Sequence, residues 1–518
     1  MTKPSHHEFS APITTAPAQT TRVLRDAGWN LGGSLLPLAA AFFAIPILIK
    51  TLGTDRFGLI TLAWAAVGYF SFLDFGLGRA LTKCVSESLA GRDQTNIPDL
   101  FWSSIILLGA LSVAGSGLLC LVPAHFIGHI LKIPAVLSGE LRLSLWLLAA
   151  TVPLVTLSAM LRGFLEAHRW FRSINIVRAL LGLATFLFPV AILRVSPTLP
   201  AVLGSLALGR LGACLAYLVL CFQATPGARL IRWISWPDLR PLLAFGGWIT
   251  LSNTISPLMC YLDRFFVSVL LSLGAVSYYA TPYEITSKIL VVPAAIAVSL
   301  FPAFAALVAR SGLHLAALYN EALSAVFHCI YPISILLILF AHDGIRLWLG
   351  ADFALKSYRV VQINAIGLLV TSLAQIPSTY CQATGRPDIN AKFQLCELPI
   401  YLASAFVLTL RFGIVGAAAA GAMRTAIDAL LLFGYVHRRR VALHKKFLMA
   451  AGLSSAIAAA MVGDALAMPI RLAIGFVVVL ICGFSLVGIV VRAEGATATS
   501  AVCRQTQPAR PESELALR

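Results

Sequence analysis

The segment GWNLGGSLLPL at residues 28–38 returns later in the chain as GWITLSNTISPL at residues 247–258. Pro37 and Pro257 occupy corresponding places in the two copies. Each proline is predicted to lie inside a membrane-spanning helix, where it removes a backbone hydrogen bond and lets the helix bend. Prolines are ordinary in membrane helices, but the symmetric pair favours a hinge in each half of the molecule.

Three further landmarks repeat in the same order. They are LGTDRFG (52–58) with LGAVSYY (273–279), EAHRWFRSIN (166–175) with QATGRPDIN (382–390), and Arg210 with Arg424. The separation between partners stays between roughly 214 and 221 residues. Internal repeats of this kind are typical of transporters built from two similar halves. The pattern therefore predicts two homologous halves of six helices each, at about 23–222 and 241–437.

The composition indicates a membrane protein of the all-α class. Of the 518 residues, 59% are hydrophobic and 12% are charged, and the mean hydropathy is +0.86. Apolar windows of roughly 20 residues, enough to span a bilayer as a helix, recur between Gly28 and Arg492. These windows are continuous rather than alternating, which argues against the strands of an outer-membrane barrel. We predict about 14 transmembrane helices.

The repeat also predicts how these helices are arranged. Six helices in each half preserve its orientation, so the halves are related by a pseudo-twofold axis along the membrane normal, with a cavity between them. The predicted parts are a disordered tail, an N-lobe with helices TM1–6, a C-lobe with TM7–12, an extra helix pair TM13–14 and a second disordered tail. They comprise residues 1–21, 22–230, 231–440, 441–492 and 493–518.

The net charge of +17 is explained by membrane topology. Lys and Arg concentrate in the links on one side of the predicted spans, and the positive-inside rule makes that side cytoplasmic. An even number of spans then places both termini in the cytoplasm. The distribution predicts no nucleic-acid partner. The ten cysteines lack CxxC spacing, so neither a disulfide framework nor a metal site is predicted.

Ionisable residues interrupt an apolar run in GYFSFLDFGLGRALTK at residues 68–83. A charged side chain at the bilayer centre costs on the order of 3 kcal/mol on insertion scales, so such groups must face something other than lipid. Arg79 and Lys83 are four residues apart on one helix face, where like charges repel. An anion between them would turn this repulsion into attraction. Asp74 is a candidate hydrogen-bond acceptor or coupling acid on the same helix.

Further charges lie on the predicted seventh, eighth and twelfth helices. Two pairs at i and i+4 can neutralise themselves, namely Glu284 with Lys288 and Arg424 with Asp428. Asp263 and Arg264 are neighbours, and Arg264 has no acid at i±4. Arg264 is therefore a second candidate for an anion site, because a guanidinium can bond two phosphate oxygens at once. Asp263 and Glu284 are candidate coupling or cavity acids.

Three segments carry a resemblance to a known family: LGTDRFGLITLAWAAVGYFSFLDFGLGRALTK, GFLEAHRWFRSIN and LGAVSYYATPYEITSKILVVPAAIAVSLFPAFA. The chain resembles the polysaccharide flippases of the multidrug/oligosaccharidyl-lipid/polysaccharide exporter superfamily, over about residues 23–437. The resemblance implies a V-shaped pair of lobes and translocation of undecaprenyl-diphosphate-linked oligosaccharide repeat units across a bacterial inner membrane by alternating access, without ATP hydrolysis. Many members are assigned about twelve helices, so the last two spans are a departure.

The same resemblance gives the intramembrane charges a role. A lipid-linked substrate would need a diphosphate site, for which the candidates are Arg79, Lys83, Arg264 and Lys288. Sugar recognition needs aromatic faces with hydroxyl or amide groups, for which the candidates are Tyr69, Asn253, Tyr261 and Tyr283. The implied partners are the polyprenyl-diphosphate-linked oligosaccharide, membrane lipids and polysaccharide polymerase or export machinery.

Three other functions stay open at this point. A peptidoglycan-precursor (lipid II) flippase also favours arginines and has 14 helices. A multidrug or cation antiporter of the same superfamily would want acidic rather than basic cavity residues. A membrane enzyme such as a polymerase or ligase would need a catalytic set that the longest extracytoplasmic link, about 341–359, does not show. We therefore predict a transporter without enzymatic activity or cofactor.

Overall fold

The computed structural model describes the helical framework of the chain. The described residues are 16–70, 77–90, 97–121, 124–130, 133, 137–225, 259, 261–308, 312–386, 388–438 and 446–505. Within these ranges the backbone is almost entirely helical and contains no strand, which confirms the predicted all-α class. Apolar sequence explains this outcome, because a helix in lipid satisfies its own backbone hydrogen bonds.

Sixteen helices follow one another along the described ranges. Those before residue 226 are α1 (Ala16–Phe70), α2 (Leu77–Ala90), α3 (Ile97–Leu121), α4 (Ala124–Ile130), α5 (Ser138–Ala167), α6 (Phe171–Ile192) and α7 (Leu199–Ala224). Those after residue 258 are α8 (261–270), α9 (Leu273–Ile289), α10 (Val291–Val308), α11 (Gly312–Leu339), α12 (Ala341–Leu349), α13 (Ala351–Ala383), α14 (Asp388–Arg438), α15 (Lys446–Val462) and α16 (Met468–Gln505).

Two of these helices are interrupted by a glycine with positive φ. Gly53 in α1 has φ of 80° and Gly413 in α14 has φ of 62°, values that glycine adopts without steric penalty. After Gly413 the chain folds back, so that Gly416 lies against the carbonyl oxygen of Leu408. Thus α1 and α14 each consist of two helical parts. The backbone of α1 leaves the helical region at Gly53 rather than at Pro37, and a hinge at Pro37 stays a prediction.

Nine helices of the described ranges are long and apolar enough to cross a membrane. A shorter apolar helix, Met449–Val462, precedes the last of them. The chain is therefore a multi-pass membrane protein, while the total of 14 spans stays a prediction. The ends differ from expectation: residues 16–21 and 493–505, predicted as disordered, are helical in α1 and α16. Alanine-rich composition explains helix formation there.

The chain divides into two compact units. The first comprises Met1–Gly53, Val67–Ile127 and Ala135–Asn253, and the second comprises Thr54–Ala66, Gly128–Pro134 and Thr254–Arg518. The segment Thr54–Ala66 belongs to the second unit because it packs on α9. There the Ser277 hydroxyl donates to the carbonyl oxygen of Thr54 at 2.5 Å, and Gly58 lies against the carbonyl oxygen of Leu273. The lobe boundaries given by the sequence stay predictions.

The repeat is visible as the same turn in both units. After α5, Arg169 has φ of 60°, its N–H donates to the carbonyl of Glu166, and the Trp170 N–H donates to that of Leu165. After α13, Gly385 has φ of 75° with equivalent bonds to the carbonyls of Gln382 and Cys381. Both are Schellman turns, which end a helix with one residue in the left-handed region. Arg169 and Gly385 are repeat partners, as the EAHRWFRSIN and QATGRPDIN segments predict.

Small residues allow the helices of the first unit to pack closely. Gly163 of α5 lies against the backbone of Gly78 on α2, and the Thr82 hydroxyl donates to the Gly163 carbonyl at 2.8 Å. Gly182 of α6 lies against the ring of Pro37 on α1. A side chain at either glycine would overlap its neighbour, so these contacts fix α1 and α2 against α5 and α6.

The core of the second unit lies between α10, α11, α13 and the second part of α14. The last two helices dock on it through glycines: Gly452 of α15 lies against Phe327, and Gly475 of α16 lies 2.9 Å from Leu336, measured to where a Cβ would be. The Arg471 side chain of α16 adds an ion pair of 2.7 Å with Asp343. The extra helix pair is thus part of the second unit.

Candidate functional site

A cavity of about 150 Å³ opens within the second unit, between α8, α9, α13 and α14. Its lining combines tyrosine rings, hydroxyl and amide groups, one acid and one arginine. The polar lining residues are Asp263, Tyr279, Tyr283, Thr286, Ser287, Asn364, Thr371, Tyr401, Arg424 and Thr425. The buried Nδ2 of Asn364 has no hydrogen-bond partner among the described residues. A buried donor without a partner favours a water or ligand at that position.

Asp263 is held in place on one wall of the cavity. It is 5% exposed and lies on α8, where the backbone N–H of Arg264 donates to its Oδ1 at 2.8 Å. The Tyr279 hydroxyl of α9 donates to its Oδ2. The side chain of Asp263 therefore has fixed donors on both oxygens, and α8 and α9 are joined at this point.

Arg264 lies beneath the same wall and is not part of the cavity lining. Only 1% of it is exposed, and its Nη2 donates to Glu284 Oε1 of α9 at 2.7 Å. The guanidinium also lies over the rings of Tyr261 and Tyr283, at 5.6 and 5.4 Å from their centres. A cation over an aromatic face is stabilised by the ring quadrupole. This arrangement makes Arg264 a buried partner of Glu284, and leaves no open face of the residue to the cavity.

Glu284 receives a second cation from its own helix. Lys288 Nζ lies 3.6 Å from Glu284 Oε2, so the ion pair predicted from the i and i+4 spacing is present. The lysine side chain is 49% exposed, whereas that of the acid is 22% exposed. Arg264, Glu284 and Lys288 thus form one chain of charges across α8 and α9.

Arg424 carries the basic group of the cavity lining. It lies on the second part of α14, with its guanidinium 5.7 Å from the centre of the Tyr401 ring. Two carboxyl groups of α14 act on it electrostatically, Glu397 from the first part of the helix and Asp428 from the second. The spacing of charges in the sequence predicted only Asp428 as a partner of Arg424. The change of chain direction at Gly413 also brings Glu397 close to Arg424.

The remaining predicted site residues fall outside what the structure describes. Asp74, Asn253 and Pro257 lie outside the described residues, as do the side chains of Tyr69, Arg79 and Lys83. The backbone of α2 is a continuous helix from Leu77 to Ala90, so Arg79 and Lys83 occupy i and i+4 positions of one helix. Of the predicted sugar contacts that are described, Tyr283 lines the cavity and Tyr261 does not.

Several cavity residues were not predicted from the sequence. Asn364 and Thr371 lie on α13, and Tyr401 and Thr425 lie on α14. Both helices belong to the C-terminal part of the second half, whereas the predicted site residues lie on the first two helices of each half. A polar residue inside an apolar span is the signal that could have identified Asn364.

Solved structures share the fold of this chain. The lipid II flippase MurJ in an inward closed conformation matches 89% of this chain and 98% of its own, with a TM-score of 0.68 and 14% identity. An inward-facing multidrug resistance MATE family transporter of the MOP superfamily matches 80% of this chain and 99% of its own, with a TM-score of 0.67 and 14% identity. The fold is that of this class of multi-pass membrane transporters.

Sequence comparison gives the family. Residues 23–308 match the family described as polysaccharide biosynthesis protein, and because this is more than half of the chain, the protein belongs to that family. A putative O-antigen transporter of Shigella flexneri is 29% identical over 413 residues, 79% of this chain and 96% of the relative. A probable low-salt glycan biosynthesis flippase of Haloferax volcanii is 22% identical over 402 residues, 76% of this chain and 79% of the relative.

Proposed function

We propose that the protein moves undecaprenyl-diphosphate-linked oligosaccharide repeat units from the cytoplasmic to the periplasmic leaflet of a bacterial inner membrane, for surface or exopolysaccharide export. The observation that carries this proposal is the family match over residues 23–308. The relative named as a putative O-antigen transporter supports the substrate class, because the match spans 96% of that relative. Both termini are cytoplasmic in this proposal, as the distribution of Lys and Arg predicts.

The cavity of the second unit supports a sugar-containing ligand. Tyrosine rings offer flat apolar faces, and hydroxyl and amide groups offer hydrogen bonds, which together suit a sugar ring. Tyr283 and Tyr401 supply the faces, and Asn364 supplies a buried donor without another partner among the described residues. These three residues are the proposed sugar contacts.

Cations supply the proposed contacts to the diphosphate. Arg424 lines the cavity, and its planar guanidinium can bond two phosphate oxygens together. Arg79 and Lys83 on α2, and the half-exposed Lys288 on α9, are retained as further proposed phosphate ligands. Arg264 has a different proposed role: it holds Glu284 and the Tyr283 ring in position.

The chemistry of the proposal is transport rather than catalysis. The substrate crosses the membrane by alternating access of the two halves, and no bond in it is made or broken. Polysaccharide polymerase or export machinery would act on the substrate after it has crossed. Membrane lipids surround the exposed apolar faces of the helices.

A genetic experiment tests this function. In cells that lack the protein, lipid-linked repeat units should accumulate on the cytoplasmic leaflet and surface polysaccharide should be lost. The wild-type gene should restore export, and Arg424→Gln should restore less than a tenth of it while inserting at a normal level. Arg411→Gln, at an exposed arginine on the same helix, is the matched control. Accumulation of lipid II or of drugs, with normal surface polysaccharide, would contradict the proposed substrate.

A further inference from the structure

Two carboxyl groups meet beside Arg424 with no donor between them. Glu397 is 1% exposed, and neither of its carboxyl oxygens has a hydrogen-bond partner among N–H and O–H groups of the described residues. The group in contact with it is a second acid, Asp428. Buried carboxylates are normally paired with donors or cations, so this contact needs a physical explanation.

A single proton provides that explanation. Two ionised carboxylates have only acceptor oxygens, so they repel each other and cannot form a hydrogen bond. When one of them carries a proton, its O–H donates to the other, and the repulsion becomes a bond. The contact between buried Glu397 and Asp428 is therefore explained by one shared proton.

The charges around the pair lead to the same count. Among the described residues, a series of interacting ionisable groups leads from the pair on α14 through α8 to α9, with the neutral hydroxyls of Tyr279 and Tyr401 beside them. The acids are Glu397, Asp428, Asp263 and Glu284, and the cations are Arg424, Arg264 and Lys288. Fully ionised, these seven side chains carry one net negative charge, and one proton neutralises them.

A metal ion fits this place less well than a proton. No group of three His, Cys, Asp or Glu side chains that could hold a metal occurs among the described residues. The Arg424 guanidinium, which acts on both acids, would repel a metal cation at the pair. A proton adds the missing charge without needing further ligands.

We propose that Glu397 and Asp428 form a proton-binding site linked to anion binding at Arg424, so that the protein takes up a proton when it binds the diphosphate of its substrate. This deepens the proposed function and rests on it. With the pair deprotonated, two carboxylates compensate the arginine and oppose an anion in the cavity. With one proton bound, the negative charge of the pair is halved, and the guanidinium attracts a phosphate group more strongly.

Linkage fixes the direction of the pH effect. Since the proton and the anion favour each other, each must raise the affinity of the protein for the other by the same factor. Lowering the pH protonates the pair and tightens anion binding; raising the pH does the opposite. Glu397→Gln, a neutral side chain of nearly the same shape, should hold the site in its high-affinity form at every pH.

Calorimetry of the full-length protein in detergent tests the linkage, with farnesyl diphosphate as the probe. Titrations in two buffers of different ionisation enthalpy give the number of protons taken up per probe bound. The wild type should take up between about 0.5 and 1 proton more than Glu397→Gln, and should bind at least about fivefold more tightly at pH 6.5 than at pH 8.0. Glu397→Gln should change less than twofold over that range, and so should Asp428→Asn.

The control is Glu321→Gln, which neutralises an exposed acid of α11 in the same unit and should behave as the wild type. If the wild type binds the probe with the same proton uptake and pH dependence as Glu397→Gln, the proton site is refuted and the proposed function stands. If the wild type does not bind the probe at any pH, the anion site at Arg424 is refuted and the proton linkage with it, whereas the transport function is decided by the genetic experiment.

Discussion

Two repeat-related arginines have opposite surroundings. Arg424 of the second unit lies against the Tyr401 ring and two acids, Glu397 and Asp428. Its partner Arg210 lies on α7 of the first unit, on the helix face that carries the buried side chains of Leu206 and Cys214. Neither α6 nor α7 contains an acidic residue.

Among the described residues, the backbone turn is common to both repeats, whereas the acids beside Arg424 have no counterpart on the helices α6 and α7 around Arg210. The same helix-ending turn follows α5 and α13, at repeat-related positions. A turn depends on local hydrogen bonds, which any pair of homologous halves can retain. Compensating charges depend on particular side chains from several helices, so one half can lose them. Around Arg424 of the second unit, charge can therefore respond to a proton or an anion, which the acid-free helices α6 and α7 around Arg210 do not offer.

The largest effect should come from breaking the buried ion pair of the second unit. Arg264→Leu leaves Glu284 without its partner at 2.7 Å and should lower the free energy of unfolding by about 3–5 kcal/mol. In the first unit, Arg162 and Glu166 form a pair at 3.6 Å with both side chains nearly half exposed. Arg162→Leu should lower the free energy of unfolding by less than about 1 kcal/mol, because an exposed ion pair contributes little. Thermal unfolding in detergent measures both, and equal losses would remove the contrast between the units.

The repeat-related arginines should differ in the same experiment. Arg424→Leu leaves Glu397 and Asp428 without their cation and should destabilise the protein by about 2–3 kcal/mol. Arg210→Leu removes a charge from helices that hold no acid, so the free energy of unfolding should change by less than about 0.5 kcal/mol or rise. A larger loss of unfolding free energy with Arg210→Leu than with Arg424→Leu would contradict the difference between the two units.

A smaller effect should follow from filling the contact between α6 and α1. Gly182→Ala places a methyl group against the Pro37 ring and should lower the free energy of unfolding by about 1–3 kcal/mol. Gly212→Ala on α7 is the matched control, since no atom lies within 4 Å of its added carbon. Loss of transport with unchanged unfolding in Gly182→Ala would instead favour the hinge predicted at Pro37.

The smallest effect concerns the shared turn, and it should have opposite signs in the two units. Arg169→Gly relieves a side chain held at φ of 60° and should raise the free energy of unfolding by up to about 1 kcal/mol. Gly385→Ala imposes the same strain at φ of 75° and should lower it by about 1 kcal/mol. If both variants are destabilised, side-chain contacts of Arg169 outweigh its backbone strain.

These comparisons show which features a sequence can predict. The all-α class follows from continuous apolar runs, and the turn partners follow from a constant separation along the chain. The ion pair between Glu284 and Lys288 follows from spacing on one helix. Each of these depends on residues close together in sequence or on a regular period.

Contacts between helices could not be predicted in the same way. Arg264 lacks an acid at i±4, and its partner Glu284 lies twenty residues away on the next helix. Glu397 reaches Arg424 only because the chain turns at Gly413. The spacing of charges along one helix does not report how two helices cross, so the acid pair became apparent only in the structure.

Under the proposed function, Arg424 of the second unit holds the anionic headgroup of a polyprenyl-linked substrate. Native mass spectrometry of the purified protein with undecaprenyl diphosphate tests it most directly, by comparing Arg424→Gln with its repeat partner Arg210→Gln. Arg424→Gln should lose more than nine-tenths of the bound lipid, while Arg210→Gln should keep the wild-type amount. Equal retention by both variants, or a selective loss with Arg210→Gln, would contradict it.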